Sequence, residues 1–257
     1  MTAEEQPGGE SLPVFPIPPA YTGKVAIATP FYNLQAFSTY IHSLVETTKA
    51  LTALDIRWEF WPLHGDSYVQ RARNTICGKF LDSDFSDLFF IDSDQDWDVA
   101  AVLRVLLAPF DIVGASYKMK NNWDAWTAVV KMNGSHPYGI QTGADSAFLE
   151  ATLLPCGFMR IRRQALCKFR DAYPDLRYYD EGSEGNRGRQ YVNFFECSTQ
   201  GGIFYGEDAT FCKRWLDIGG QLWVEPKATI THYGIGGWRG NLDQTLRDNL
   251  REGTDAH

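Results

Sequence analysis

The sequence is short of several things, and each shortage removes a class of protein. Its five cysteines (Cys77, Cys156, Cys167, Cys197 and Cys212) are odd in number and scattered, with no Cys-x-x-Cys pair. Neither a disulfide framework nor a cysteine-rich zinc site is indicated, and reduced thiols are expected. No apolar run approaches the length that spans a bilayer, and the opening residues lack a basic stretch followed by an apolar core. A soluble, cytoplasmic protein with no transmembrane segment is the expectation. Positive charge is in deficit: 24 Lys and Arg against 32 Asp and Glu give a net charge of -8, which argues against nucleic acid as a partner. No internal repeat or low-complexity tract is visible.

What is present is enough for a substantial core. The 257 residues are 44% hydrophobic, and nothing in that length requires more than one domain. Residues 1–22 carry Pro7, Gly8, Gly9, Pro13, Pro16, Pro18 and Pro19 and read as a flexible arm. Strand and helix patterns then alternate. An apolar strand at 25–30 is followed by a helix whose inner face would be Phe37, Tyr40, Ile41, Leu44, Val45 and Leu51. A strand at 56–63 is turned by Gly65-Asp66 into a helix burying Val69, Ala72, Ile76, Phe80 and Leu81. A wholly apolar run at 88–91 precedes a helix with Val99, Val102, Leu103, Leu106 and Leu107 inside, for which Asp96 and Asp98 are the capping candidates. Another buried strand follows at 111–116. Such alternation predicts an α/β fold with a mixed, mostly parallel central sheet flanked by helices.

Beyond Tyr117 the pattern changes. Strands are expected at 126–130 and 157–161, separated by a polar connection at 131–147, then a short helix at 164–169 and a hydrophilic loop at 178–190. Gly206-Glu207-Asp208 opens a helix that stops at Gly219-Gly220. Two short strands at 221–224 and 228–230 lead through Thr231-His232 into a glycine-rich segment at 234–240. The expected organisation is an arm at 1–22, one domain at 23–240 divided near residue 120 into a nucleotide-binding half and an acceptor half, and a C-terminal helix and tail at 241–257.

The chemistry concentrates where the apolar run Leu88-Phe89-Phe90-Ile91 ends in Asp92-Ser93-Asp94. A strand buried on both faces suits the centre of a parallel sheet, and ligands of such sheets lie beyond the carboxyl ends of the strands. Two hard oxygen donors one residue apart can hold Mg²⁺ or Mn²⁺ while a diphosphate fills the remaining positions; the plainer reading is a solvated acidic turn. Thr29 to Asn33, with an aromatic ring and an amide at a strand end, suits either a nucleobase or simple turn chemistry. Gln70, Arg71, Arg73 and Asn74 crowd the start of a helix, where cations oppose the helix dipole. An anion or a base would explain them, and so would a solvated basic face.

The ordered set Thr29-Pro30-Phe31-Tyr32-Asn33, Ala72-Arg73-Asn74, Phe89-Phe90-Ile91-Asp92-Ser93-Asp94, Gly157-Phe158-Met159, Gly206-Glu207-Asp208 and His232 resembles the GT-A glycosyltransferases, across residues 24–235. The resemblance implies a Rossmann-like GT-A fold in a single domain. It also implies a metal-dependent transfer of a sugar from a UDP- or GDP-linked donor to a hydroxyl acceptor, a glycan or small molecule. Asp92 and Asp94 would be the Asp-x-Asp pair and His232 the later histidine that completes a Mn²⁺ or Mg²⁺ site. Thr29, Pro30, Tyr32, Asn33, Arg71, Arg73, Asn74, Asp92 and Ser93 would lie along the nucleotide. Asp208, with Glu207 beside it, would be the general base of an inverting enzyme. Gly157, Phe158, Trp123, Trp238 and Arg239 would face donor or acceptor sugar, Trp238 and Arg239 from a loop that closes over the donor; Trp126 is a further stacking candidate.

Three other readings share parts of this pattern. An aspartyl-phosphate phosphatase also ends an apolar strand in Asp-x-Asp, but its later Lys and paired Asp are not evident. A sugar nucleotidyltransferase would show a glycine-rich basic loop after the first strand, and residues 29–33 contain neither Gly nor Lys. A catalytically silent sugar-binding or scaffolding protein would bind donor with metal but turn over no acceptor, and the presence of both carboxylate pairs and His232 counts against it.

Overall fold

The computed structural model describes residues 21–32, 34–121, 125–133, 136–137, 139–141, 147–180, 187–234 and 236–254. The arm expected at the N-terminus lies almost wholly outside these, as do Asn33 and Trp123. In chain order the larger elements are β1 (Lys24–Phe31), α1 (Ser38–Ala53), β2 (Arg57–His64), α2 (Val69–Leu81), β3 (Asp87–Ile91), β4 (Gln95–Trp97), α3 (Val99–Leu107) and β5 (Ile112–Ala115). Then come β6 (Ala147–Leu153), β7 (Phe158–Arg162), α4 (Arg163–Ala172), α5 (Glu207–Asp217), β8 (Leu222–Glu225), β9 (Thr229–Tyr233), β10 (Gly237–Asn241) and α6 (Leu242–Thr254).

Among the described residues one nine-stranded sheet runs β2-β1-β3-β7-β5-β8-β6, with the short strands Val129–Val130 and Gly139–Gln141 both paired to β6. Strands β2, β1, β3, β5 and β8 point the same way, and β7 and β6 are inserted against them. The result is a mixed α/β single domain, mostly parallel in direction, in which both halves of the chain share one sheet. All five residues of β3 are buried: four are the apolar run Leu88–Ile91, and the first, Asp87, accepts from Tyr21 Oη and Ser86 Oγ. The period of two sends Leu88 and Phe90 to one face with Ala26, Ala28, Phe80, Phe169 and Phe211. Phe89 and Ile91 go to the other with Val25, Ile27, Tyr40, Val102 and Leu106. Helices α2, α4 and α5 therefore cover one face and α1 and α3 the other. Each fully buried Phe or Leu in these layers contributes about 1.5–3 kcal/mol. Among the described residues no helix is long and apolar enough to cross a membrane.

Local departures from the sequence pattern have physical causes. Helix α1 buries Tyr40, Ser43, Thr47 and Leu51, while Phe37, Ile41 and Val45 are exposed. Trp97 decides this rotation. Its carbonyl accepts from Ser43 Oγ at 3.0 Å, and its indole donates to Thr47 Oγ1 at 2.9 Å; a buried Trp needs those partners more than the helix needs three further apolar contacts. Val69, expected inside, is the exposed first residue of α2. Asp98 alone of the two capping candidates caps α3, accepting from Ala101 N at 2.6 Å, whereas Asp96 sits within β4 and accepts from Tyr233 Oη at 2.6 Å. The expected glycine-rich loop is strand β10 over Gly237–Asn241, paired antiparallel with β9.

The second oxygen of Asp98 accepts from Thr229 N at 3.0 Å, so one carboxylate both caps α3 and anchors β9. Asp98→Ala is expected to cost about 1–2 kcal/mol in urea unfolding. An unchanged unfolding midpoint would show the cap to be idle.

Candidate active site

The carboxyl end of β3 is held by its neighbour. Asp92 N donates to Gly157 O at 3.0 Å, placing Asp92 beside the one residue of that turn without a side chain. A Cβ on Gly157 would lie 2.6 Å from Gln95 Nε2 and 2.7 Å from Asp92 Oδ2. Glycine is what lets Asp92, Gln95 and the Tyr117 hydroxyl converge there. Gln95 is fully buried, and neither atom of its amide has a hydrogen-bond partner.

Asp92 does not stand free. Arg73 reaches it from the second turn of α2, where one terminal nitrogen donates to both carboxylate oxygens at 2.9 and 3.0 Å. The other terminal nitrogen is bound to Glu207 at the start of α5. Arg73 is 3% exposed. Burial alone would weaken its charge, yet Asp92 and Glu207 keep its pKa above the ordinary guanidinium value. The cations that oppose the dipole of α2 thus find their anions within the chain: Arg73 here, and Arg71 on Asp66 at 2.8 Å. Asn74 donates to Asn193 Oδ1 and Phe195 O and accepts from Phe195 N, so it braces residues 193–195.

Gly206 is the N-cap of α5, and Glu207 and Asp208 occupy its first turn, where the dipole favours acids. Asp208 Oδ1 accepts from Ala209 N at 2.7 Å. Burial, and then the adjacent Glu207 charge, raise the pKa of Asp208 above the ordinary carboxylate value.

A second set of groups is assembled by the three-stranded sheet β10-β9-β4. The pairing of His232 with Gln95, and of Tyr233 N with Asp94 O at 2.7 Å, brings the late histidine to the early carboxylate. His232 Nδ1 lies 3.0 Å from Lys118 O; a carbonyl only accepts, so Nδ1 carries the proton and donates. Burial lowers the His232 pKa, which leaves Nε2 with an open lone pair. That nitrogen faces Asp94 Oδ1 at 3.7 Å, and Asp94 Oδ1 is buried with no hydrogen-bond partner. Two acceptors pointed at one another call for a cation between them. Lys120 holds the other oxygen, Oδ2.

Asp94 and His232 could together offer a divalent ion two ligands, an oxygen and an imidazole nitrogen backed by a carbonyl. Asp92, the third ligand expected from the sequence, is instead committed to Arg73. Among the described residues no group of three His, Cys, Asp or Glu side chains stands ready for an ion. Tyr117 separates the two sets: its ring meets His232 edge-on at 4.7 Å, and burial, then Asp92, raise its pKa well above the phenol value.

Asp94 opens onto a cleft of about 410 Å³ lined by Tyr32, Phe37, Ser93, Lys120 and Tyr233 among others. Phe37 stacks on Tyr233 with ring centroids 4.8 Å apart, and Tyr32 is 77% exposed. Other residues singled out in the sequence lie elsewhere. Thr29 is fully buried, its hydroxyl 2.6 Å from that of Tyr40. Pro30 sits within β1 opposite Leu63. Phe158 is a core ring packed edge-on against Phe89. Trp238 stands across from His232 on β10, and Arg239, exposed, across from Thr231. Trp126 packs partly buried against the core, under the Lys118 ammonium at 5.8 Å. Sequence reasoning missed Tyr117, Lys120 and Tyr233. Only Tyr233, next to His232 and in alternation with it, left a readable sign.

No protein-family model matches the chain, and no curated protein is significantly similar to it. Among solved structures, A197 from STIV aligns over 82% of this chain and 86% of its own, at 17% identity and a TM-score of 0.49. GalNAc-T7, solved with UDP, GalNAc and Mn2+, aligns over 85% of this chain and 45% of its own, at 12% identity and a TM-score of 0.49. TarS from S. aureus aligns over 78% of this chain and 35% of its own, at 13% identity and a TM-score of 0.39. The chain spans less than half the length of the last two. At these values the likenesses carry no argument, and the side chains have to supply it.

Proposed function

We propose that the protein is a glycosyltransferase that moves a sugar from a nucleoside diphosphate donor to a hydroxyl acceptor. The observation that carries this reading is the pair of unlike sites on either side of Tyr117. On one side two acceptors, Asp94 Oδ1 and His232 Nε2, face each other at 3.7 Å beside an aromatic cleft. On the other, Asp208 is a carboxylate of raised pKa. The first suits a diphosphate and the second suits a proton acceptor.

In this reading Tyr32, Phe37 and Tyr233 take the base and ribose, and Ser93 and Lys120 lie along the phosphates. Asp94 and His232 would hold Mn²⁺ or Mg²⁺, which when bound neutralises charge on the departing diphosphate. Asp208 takes the proton of the acceptor hydroxyl, whose own pKa is too high for it to attack unaided. Arg73 fixes Glu207 and Asp92, and through Glu207 the first turn of α5. Its hold on both oxygens of Asp92 argues against the phosphatase reading, which needs that carboxylate as a nucleophile.

Calorimetric titration with UDP and with GDP, each with and without Mn²⁺, tests the donor half. One nucleotide is expected to bind only with metal, and Asp94→Ala is expected to abolish that binding. Failure of both nucleotides under every metal condition would overturn the reading.

A further inference from the structure

The cation placed along the phosphates above, Lys120, is already engaged within the chain before any donor is bound. Lys120 follows β5 by five positions, and its ammonium is bound to Asp94 Oδ2 while Asp94 Oδ1 faces His232. Its side chain is 34% exposed and lines the same cleft as Tyr32, Ser93 and Tyr233. The aliphatic stem is directed by the turn after β9: a Cβ on Gly234 would lie 3.2 Å from Lys120 Cδ. Asp94 is therefore neutralised before any ion arrives. A divalent ion on Asp94 Oδ1 and His232 Nε2 would stand within a few ångströms, on the order of one carboxylate width, of the Lys120 ammonium, a repulsive arrangement. A diphosphate brings the negative charge that lets both cations stay.

We infer that Lys120 is a phosphate-binding residue held in reserve on Asp94, which weakens metal binding to the empty protein and makes metal and donor diphosphate bind cooperatively. This rests on the donor reading above and deepens it. Lys120 leaves Asp94 Oδ2 for a phosphate oxygen when the diphosphate enters. One carboxylate then serves two cations in turn: the ammonium in the free protein and the divalent ion in the complex. The metal is admitted with its substrate and not ahead of it.

Lys120→Met keeps the stem and removes the charge at a partly exposed position, and circular dichroism melting confirms the fold. The probes are Mn²⁺ alone, then inorganic pyrophosphate at saturating Mn²⁺, titrated into wild type, Lys120→Met and Asp94→Asn. Lys120→Met is expected to bind Mn²⁺ alone about tenfold tighter and pyrophosphate with Mn²⁺ about tenfold weaker, the size of one charge at contact distance. Asp94→Asn is expected to lose Mn²⁺ binding, with or without pyrophosphate. Equal Mn²⁺ affinity in wild type and Lys120→Met, with loss in Asp94→Asn, would overturn the role of Lys120 and leave the metal pair standing. Absence of Mn²⁺ binding in both would overturn the metal pair and this inference together.

Discussion

Asp208→Asn is expected to lower turnover of the donor sugar nucleotide roughly 10³-fold, with nucleotide binding and melting temperature unchanged. The amide is the same size and can still accept from Ala209 N, the bond that Asp208 Oδ1 makes at 2.7 Å; what it cannot do is take a proton. The pH profile gives an independent reading. A base works only when ionised, and burial and Glu207 raise the pKa of Asp208. The acid limb of kcat/KM is therefore expected at higher pH than an ordinary Asp would give, with the rate rising as pH rises through it. Glu207→Gln removes a charge that raises this pKa and releases Arg73, whose charge lowers it, so both effects move the limb to lower pH. Release of the nucleoside diphosphate, followed across pH in the three proteins, is the measurement. Near wild-type turnover in Asp208→Asn, or a limb that Glu207→Gln leaves in place, would remove Asp208 from the base role.

Arg73→Met is expected to be the most destabilising single change at the site. Arg73 is buried between Asp92 and Glu207, whose side chains are only 25% and 20% exposed. Removing the shared cation leaves two carboxylates with too little water, at a cost of about 3–5 kcal/mol. For a chain of this size that lowers Tm by about 10 °C. Arg73→Lys retains the charge but replaces the two terminal nitrogens, one on each carboxylate, with a single ammonium on a shorter reach, and should fall between. Differential scanning calorimetry of the three proteins decides; a Tm for Arg73→Met within a degree or two of wild type would mean that solvent reaches both acids.

The parts of this molecule that could be read from sequence are those set by local pattern. Leu88 to Ile91 is apolar without a break, so its place at the sheet centre and the exit of Asp92 and Asp94 at the strand end follow from period and burial alone. The Gly206-Glu207-Asp208 helix start was legible for the same reason. What could not be read depends on partners distant in the chain. Phe37, Ile41 and Val45 have helical spacing and should have been inside; the hydrogen-bonding needs of Trp97 turned them out. Arg73 looked like a ligand for an external anion because its two internal anions come from β3 and from α5. Tyr117 and Lys120 lie in an irregular stretch with no period, and only the folded chain shows that one separates the two halves of the site and the other holds Asp94.

The pairing of β9 with β4 also sets an order of events during folding. Tyr233 and Asp96, joined by a side-chain hydrogen bond, are 137 residues apart in sequence. Closing a loop of that length costs entropy that local helix and strand formation does not. Strands β1, β2 and β3 are close neighbours in sequence, but Asp94 acquires His232 only after nearly the whole chain has emerged. The juxtaposition of Asp94 and His232 is therefore a long-range product of the fold, and a nascent chain that stops short of Thr229 lacks it.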